Sequence, residues 1–119
     1  MLKGTLAATL AALILAAAAA ASAPPVGMLP KGPVQTIQAA RGTLVAVALP
    51  HHSGGLVWRQ ANVVNVRVLR EVSETTLANQ DVVILFKAVG RGSTSVLYGL
   101  THGETTGAKA SLTFNVTVS

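Results

Sequence analysis

Residues 110–119 alternate without a break. Leu112, Phe114, Val116 and Val118 fall on one side, and Ser111, Thr113, Asn115 and Thr117 on the other. A period of two is the signature of a strand with one face in a core and the other in water. Residues 81–89 repeat the pattern with Val82, Ile84, Phe86 and Ala88. After a turn at Gly90-Arg91-Gly92, Thr94, Val96, Tyr98 and Leu100 again share a face. No segment beyond the N-terminal leader carries a helical period. Alternation broken by turn residues every 8–12 positions predicts an all-β chain folded as an antiparallel β-sandwich, with the inner faces of two sheets making the core.

The remaining strands are read in the same way. Residues 34–40 form a weak first strand ended by Arg41-Gly42, and 43–49 a nearly continuous apolar strand stopped at Pro50. A third spans 56–61. Residues 63–70 alternate cleanly, with Val64, Val66 and Val68 on one face and Asn65 and Arg67 on the other, and are expected to be a strand. Residues 71–80 are polar and irregular, and read as a crossing between sheets. Residues 101–109 read as a loop rich in glycine and threonine. Sixteen valines follow the leader, a composition that favours strands over helices.

Residues 1–23 stand apart. Lys3 is their only charge, an apolar stretch follows, and small residues close it, which is the order of a cleavable signal peptide. Ala21-Ser22-Ala23 fits the small-residue cleavage pattern, but cutting there leaves Pro24 first, so sites after Ala20 and Ala21 stay open. The expectation is a periplasmic or secreted protein with no membrane attachment after cleavage. Residues 24–41 comprise a Pro/Gly-rich linker, expected to be mobile, and the weak first strand; 42–119 form the sandwich domain. With no cysteine in the chain, a lipidated-cysteine anchor, disulfides and cysteine-nucleophile chemistry are all excluded. Eight basic residues beyond Lys3 face four acidic ones, but they are scattered and aromatics are few. Nucleic acid is therefore not an expected partner.

The four carboxylates, Glu71, Glu74, Asp81 and Glu104, are dispersed and give no acid–base pair. Ser53 lies in Ser-Gly-Gly rather than in a nucleophile elbow, and there is no phosphate or dinucleotide fingerprint. An enzyme is not expected, nor a cofactor. The chemistry-bearing stretch is 49–58, which joins two apolar runs through His51, His52, Ser53, Gly54 and Gly55 and reaches the only tryptophan, Trp58. Trp58 is expected to pack between the sheets. Counting strands brings the 51–55 loop and the 101–109 loop to one end of the sandwich. His51, His52, His102 and Glu104 could then converge as a Zn²⁺ or Cu²⁺ site, though their spacing follows no established ligand pattern.

Leu49-Pro50, a short polar loop, Gly55 and then Trp58 make a pattern that resembles the chagasin-type inhibitors of papain-like cysteine peptidases, whose bacterial relatives are exported. The run from Val83 to Tyr98 and the closing Phe114-Asn115-Val116-Thr117-Val118 are similar as well. The resemblance implies an Ig-like sandwich of about seven strands that inhibits a papain-like peptidase noncovalently by wedging loops from one end into its cleft. The implied contact residues are His51, His52, Ser53, Gly54, Gly55, Leu100, Thr101 and His102. In the positions of the family's Asn-Pro-Thr-Thr-Gly stand His52-Ser53-Gly54-Gly55, one residue shorter. Leu100-Thr101-His102 replaces its Arg-Pro-Trp, and nothing in 71–80 reproduces its Gly-x-Gly-Gly. Residues 61–70 with Gly92-Ser93-Thr94-Ser95-Val96-Leu97 are also similar to N-terminal domains of secretin-type pilus proteins, which implies a non-inhibitory interaction or assembly module as the alternative.

Overall fold

A computed structural model describes residues 23–103 and 106–119. The signal peptide expected over 1–23 therefore falls, but for Ala23, outside the described residues. Seven strands follow in order: β1 Val34–Ala39, β2 Leu44–Leu49, β3 Val57–Gln60, β4 Leu69–Thr76, β5 Val82–Ala88, β6 Gly92–Thr101 and β7 Ala110–Val118. They form two sheets, one ordered β1-β7-β6-β3 and the other β2-β5-β4. All neighbours are antiparallel except β1, which runs parallel to β7 from Val34↔Thr113 to Ala39↔Val118. The fold is an all-β, immunoglobulin-like sandwich. Its first sheet begins at Val34, inside the 24–41 segment, and not at residue 42.

The alternation of the sequence becomes the core directly. Val45, Val47 and Leu49 of β2 point inward, as do Ile84, Phe86 and Ala88 of β5 and Phe114, Val116 and Val118 of β7. Tyr98 and Phe114 meet edge to face at 6.1 Å between ring centroids, an arrangement that favours the aromatic quadrupoles. With no disulfide available, this apolar contact between sheets is what holds them together.

Residues 63–70 do not form the expected strand. Asn62 donates its side-chain amide to the Ser95 carbonyl (2.7 Å) and accepts from the Leu97 amide (2.9 Å), ending the β3 ladder with a side chain. Asn65 then closes a tight turn. Its Oδ1 accepts from the Arg67 amide, and its carbonyl from the amides of Val68 and Leu69, all at 3.0 Å. Asparagine side chains compete with ladder bonds in this way. Val64 and Val68 are buried four residues apart while Val66 is 62% exposed, a turn-like spacing that mimics alternation.

The strand lies further on, in β4, where the polar residues of 71–76 predicted a crossing. β4 is an edge strand with β5 as its one ladder neighbour, so its side chains need not be apolar. A bulge between Glu71 and Ser73 shifts its register.

The Pro/Gly-rich segment also departs from expectation, since it is docked on the sandwich. Ser111 Oγ donates to the Pro30 carbonyl (2.6 Å), the Thr113 amide to the Pro33 carbonyl (3.1 Å), and Val26 bridges Gly107. It lies over Gly99 on the outer face of β6, which explains why Tyr98, Gly99, Leu100 and Thr101 are all buried in succession. A Cβ at Gly99 would stand 2.7 Å from Pro25 Cγ and 2.9 Å from Leu29 Cδ2. Gly99→Val is therefore expected to cost about 1–3 kcal/mol and to lift the segment. Urea unfolding reads the first effect, and faster amide exchange at residues 26–29 with an unchanged β5 reads the second.

Candidate functional site

Three connections gather at one end of the sandwich: residues 50–56, 77–81, and 102–103 with 106–109. The strand registers require it, because Leu49 and Thr76 both stand opposite Val82, while Val57 pairs Thr101 and Leu100 pairs Ala110. The 50–56 loop carries the chain from one sheet to the other. Gly54 and Gly55 take φ of 80° and 78°, a left-handed pair that costs a side-chain-bearing residue roughly 1–2 kcal/mol each.

The loop is tied down at three points. Trp58 Nε1 donates to the Pro50 carbonyl at 2.8 Å, spanning the loop from its far end to its start. The His51 amide donates to Asp81 Oδ1 at 2.7 Å, joining it to the β4–β5 turn. His102 Nε2 lies 2.9 Å from the Gly54 carbonyl, joining it to the β6–β7 loop. Asp81 is itself held, its amide donated to Asn79 Oδ1 and its Oδ2 accepting from Asn79 Nδ2. Nothing in the sequence patterning flagged Asp81; the signal available was the Asn79-x-Asp81 spacing of a side-chain-closed turn.

The expected site residues divide sharply. His51, His52, Ser53, Gly54 and Gly55 are exposed, and so is His102. Leu100 and Thr101 are in β6, not in a loop, and are 3% and 0% exposed. Thr101 Oγ1 accepts from Arg59 Nε at 3.0 Å on the covered outer face. Trp58 is half-buried, packed against the core on one side and met edge-on by the His52 ring at 5.8 Å on the other. It belongs to core and loop at once. Of the four candidate metal ligands, Glu104 lies outside the described residues. Among the described residues no three His, Cys, Asp or Glu groups are arranged to hold an ion.

Below the loops the sandwich is open on the side where edge strands β3 and β4 face each other. A cleft of about 820 Å³ runs from the 51–55 loop to Tyr98, between Trp58 and Gln60 of β3 and Glu71 and Glu74 of β4. Burial, and secondarily the Glu74 carboxylate, raise the pKa of Glu71 above the ordinary carboxylate value. A raised carboxylate pKa means that the folded state holds its proton more tightly than the unfolded chain. The resulting stabilisation is fully present below the ordinary value and is lost as pH rises through the raised one. Glu71→Gln should thus melt higher than the parent at pH 7, with the gap closing at pH 4; calorimetric melts at the two pH values check this. Trp58→Phe, which keeps the ring and removes the donor, is expected to cost about 0.5–1.5 kcal/mol and to loosen residues 51–55 in amide exchange.

No family model matches the chain, and no curated protein does. Among solved structures, the cysteine protease inhibitor EhICP2 from Entamoeba histolytica is similar in fold, with a TM-score of 0.61 at 17% identity. The match covers 76% of this chain and 99% of that one. An identity this low carries the fold alone.

Proposed function

We propose that the chain is an exported, noncovalent inhibitor of a papain-like cysteine peptidase, acting through the three loops at the Trp58 end. The observation that carries this reading is the cross-tying of the 50–56 loop to both of its neighbours through His102 and Asp81. A loop set that must enter a cleft gains affinity when it is ordered before binding, since the ordering entropy is not then drawn from the complex. The fold likeness to a cysteine protease inhibitor supports the same kind of partner.

In this reading Gly54 and Gly55 form the tip. Without a Cβ, their backbone approaches the peptidase closely and offers amide and carbonyl groups to its substrate-binding strand positions. His51, His52 and Ser53 flank the tip on one side and His102 on the other. Leu100 and Thr101 act from behind by holding β6 straight into its loop; being buried, they do not touch the partner. The mechanism is occlusion. No bond to the peptidase forms, and the tip carries no side chain positioned for cleavage.

Titrating papain with the chain from Pro24 onward tests the proposal. Inhibition constants of about 1 µM or below, near −8 kcal/mol, are expected, with at least a tenfold loss in Gly54→Val and Gly55→Val variants that keep the parental circular dichroism. Less than about 10% inhibition at about 10 µM would sink it for that enzyme. Export is read separately by the mass of the protein recovered outside the cytoplasm, which should begin after Ala20, Ala21 or Ala23.

A further inference from the structure

The bulge in β4 does something that its sequence conceals. Glu71 and Glu74 are three residues apart, so in a regular strand they would point to opposite faces. Because the register slips between Glu71 and Ser73, Glu71 stands opposite Phe86 and Glu74 opposite Ile84. Phe86 and Ile84 are inward-facing core residues, 1% and 4% exposed. Both carboxylates therefore share the inner face of β4 and line the cleft together. Among the described residues no lysine or arginine lines it with them, and His51 and His52 stand at its loop end.

A second observation points the same way. Tyr98 is 2% exposed and lines this cleft, and its hydroxyl has no hydrogen-bond partner among the described residues. A buried polar atom left unmet is costly, and such atoms are rare enough to call for a reason. Burial, and then the Glu71 and Glu74 carboxylates, push the hydroxyl above the ordinary tyrosine range, so it stays protonated and keeps a lone pair to accept a donor. One wall is apolar or aromatic, with Leu49, Val82, Ile84 and the Trp58 indole, while Gln60, Asn62 and Gln80 add neutral polar groups.

We propose that this cleft binds an organic cation, a primary ammonium or guanidinium on a short apolar stem, with Glu71 and Glu74 as its counter-charge and the Tyr98 hydroxyl as an acceptor. Two like charges on one face disfavour an anion. Two carboxylates set beside Leu49, Val82 and Ile84 suit a hard metal ion poorly, since it takes six or more oxygen ligands. A stem lying along Leu49, Val82 and Ile84, with its charge near the indole, meets the apolar wall and the carboxylates together. The cleft volume falls within the range of small-molecule sites, about 300–1,000 Å³. The same chemistry is offered by a free amine and by the side chain of a lysine or arginine in a polypeptide. The site stands independently of peptidase inhibition.

Titrations with n-butylammonium and n-butylguanidinium at pH 7.5, followed by Trp58 fluorescence and by the NMR shifts of the Glu71 and Glu74 carboxylates, test it. Saturable binding is expected with a dissociation constant below about 1 mM for at least one of the two cations. Glu71→Gln and Glu74→Gln should each weaken it tenfold or more, and Tyr98→Phe several-fold, in variants that keep the parental circular dichroism. N-acetyl-arginine and N-acetyl-lysine methylamides form the second arm. Binding tighter than that of the alkyl cations assigns the site to a polypeptide side chain; weaker binding assigns it to a free amine. Saturation by n-butyrate or Ca²⁺ instead, no saturation by either cation up to about 10 mM, or unchanged binding in both glutamine variants overturns the proposal.

Discussion

The hydrogen bond from the Trp58 indole to the Pro50 carbonyl lies where the chain passes from one sheet to the other. A sandwich without disulfides depends on its crossings, because each is a place where the sheets can slide or splay. Here the crossing is closed by a single residue that also packs on the core. Its ring is fixed by burial on one side, its N–H is satisfied on the other, and the loop between is left to the two glycines. The ties to Asp81 and His102 build on that closure: they hold in place a loop whose two ends have already been brought together. Loop order and core packing are thus one interaction seen from two sides.

The same open edge serves two ends. β3 is four residues long, and β4 is polar and bulged. Short and irregular edges resist pairing with other chains, which is how sandwiches guard their rims. What guards the rim here also leaves the inter-sheet space unfilled, and the carboxylates fall into it. A regular, apolar β4 would have sealed the cleft and buried no charge.

The strands of the second half were legible because β5, β6 and β7 each bury one face against the opposing sheet, so that their alternation survives in the residues themselves. The meeting of the 51–55 loop with the 102–109 loop was legible from strand count. Other features were hidden for physical reasons. Val64 and Val68 read as a strand because four-residue and two-residue spacings coincide there, and Asn62 and Asn65 decided otherwise through side-chain bonds to backbone. β4 was hidden because an edge strand beside a cleft carries no apolar stripe. Thr101 read as loop because nothing local reveals that residues 25–30, some seventy positions earlier, cover the outer face of β6. The clamp by Asp81 and the shared face of Glu71 and Glu74 are tertiary facts, the second produced by one inserted residue.

The parallel pairing of β1 with β7 sets an order of events in time. Val34 cannot take its place until Thr113 exists, nor Ala39 until Val118 does. During synthesis, β1 waits for β7, and every contact between them closes a loop of about two thirds of the chain, a slow kind of contact to form. The sheet that carries β3 and β6, and with them two of the three end loops, is therefore completed only once β7 has been made. Until then the chain remains open along this edge.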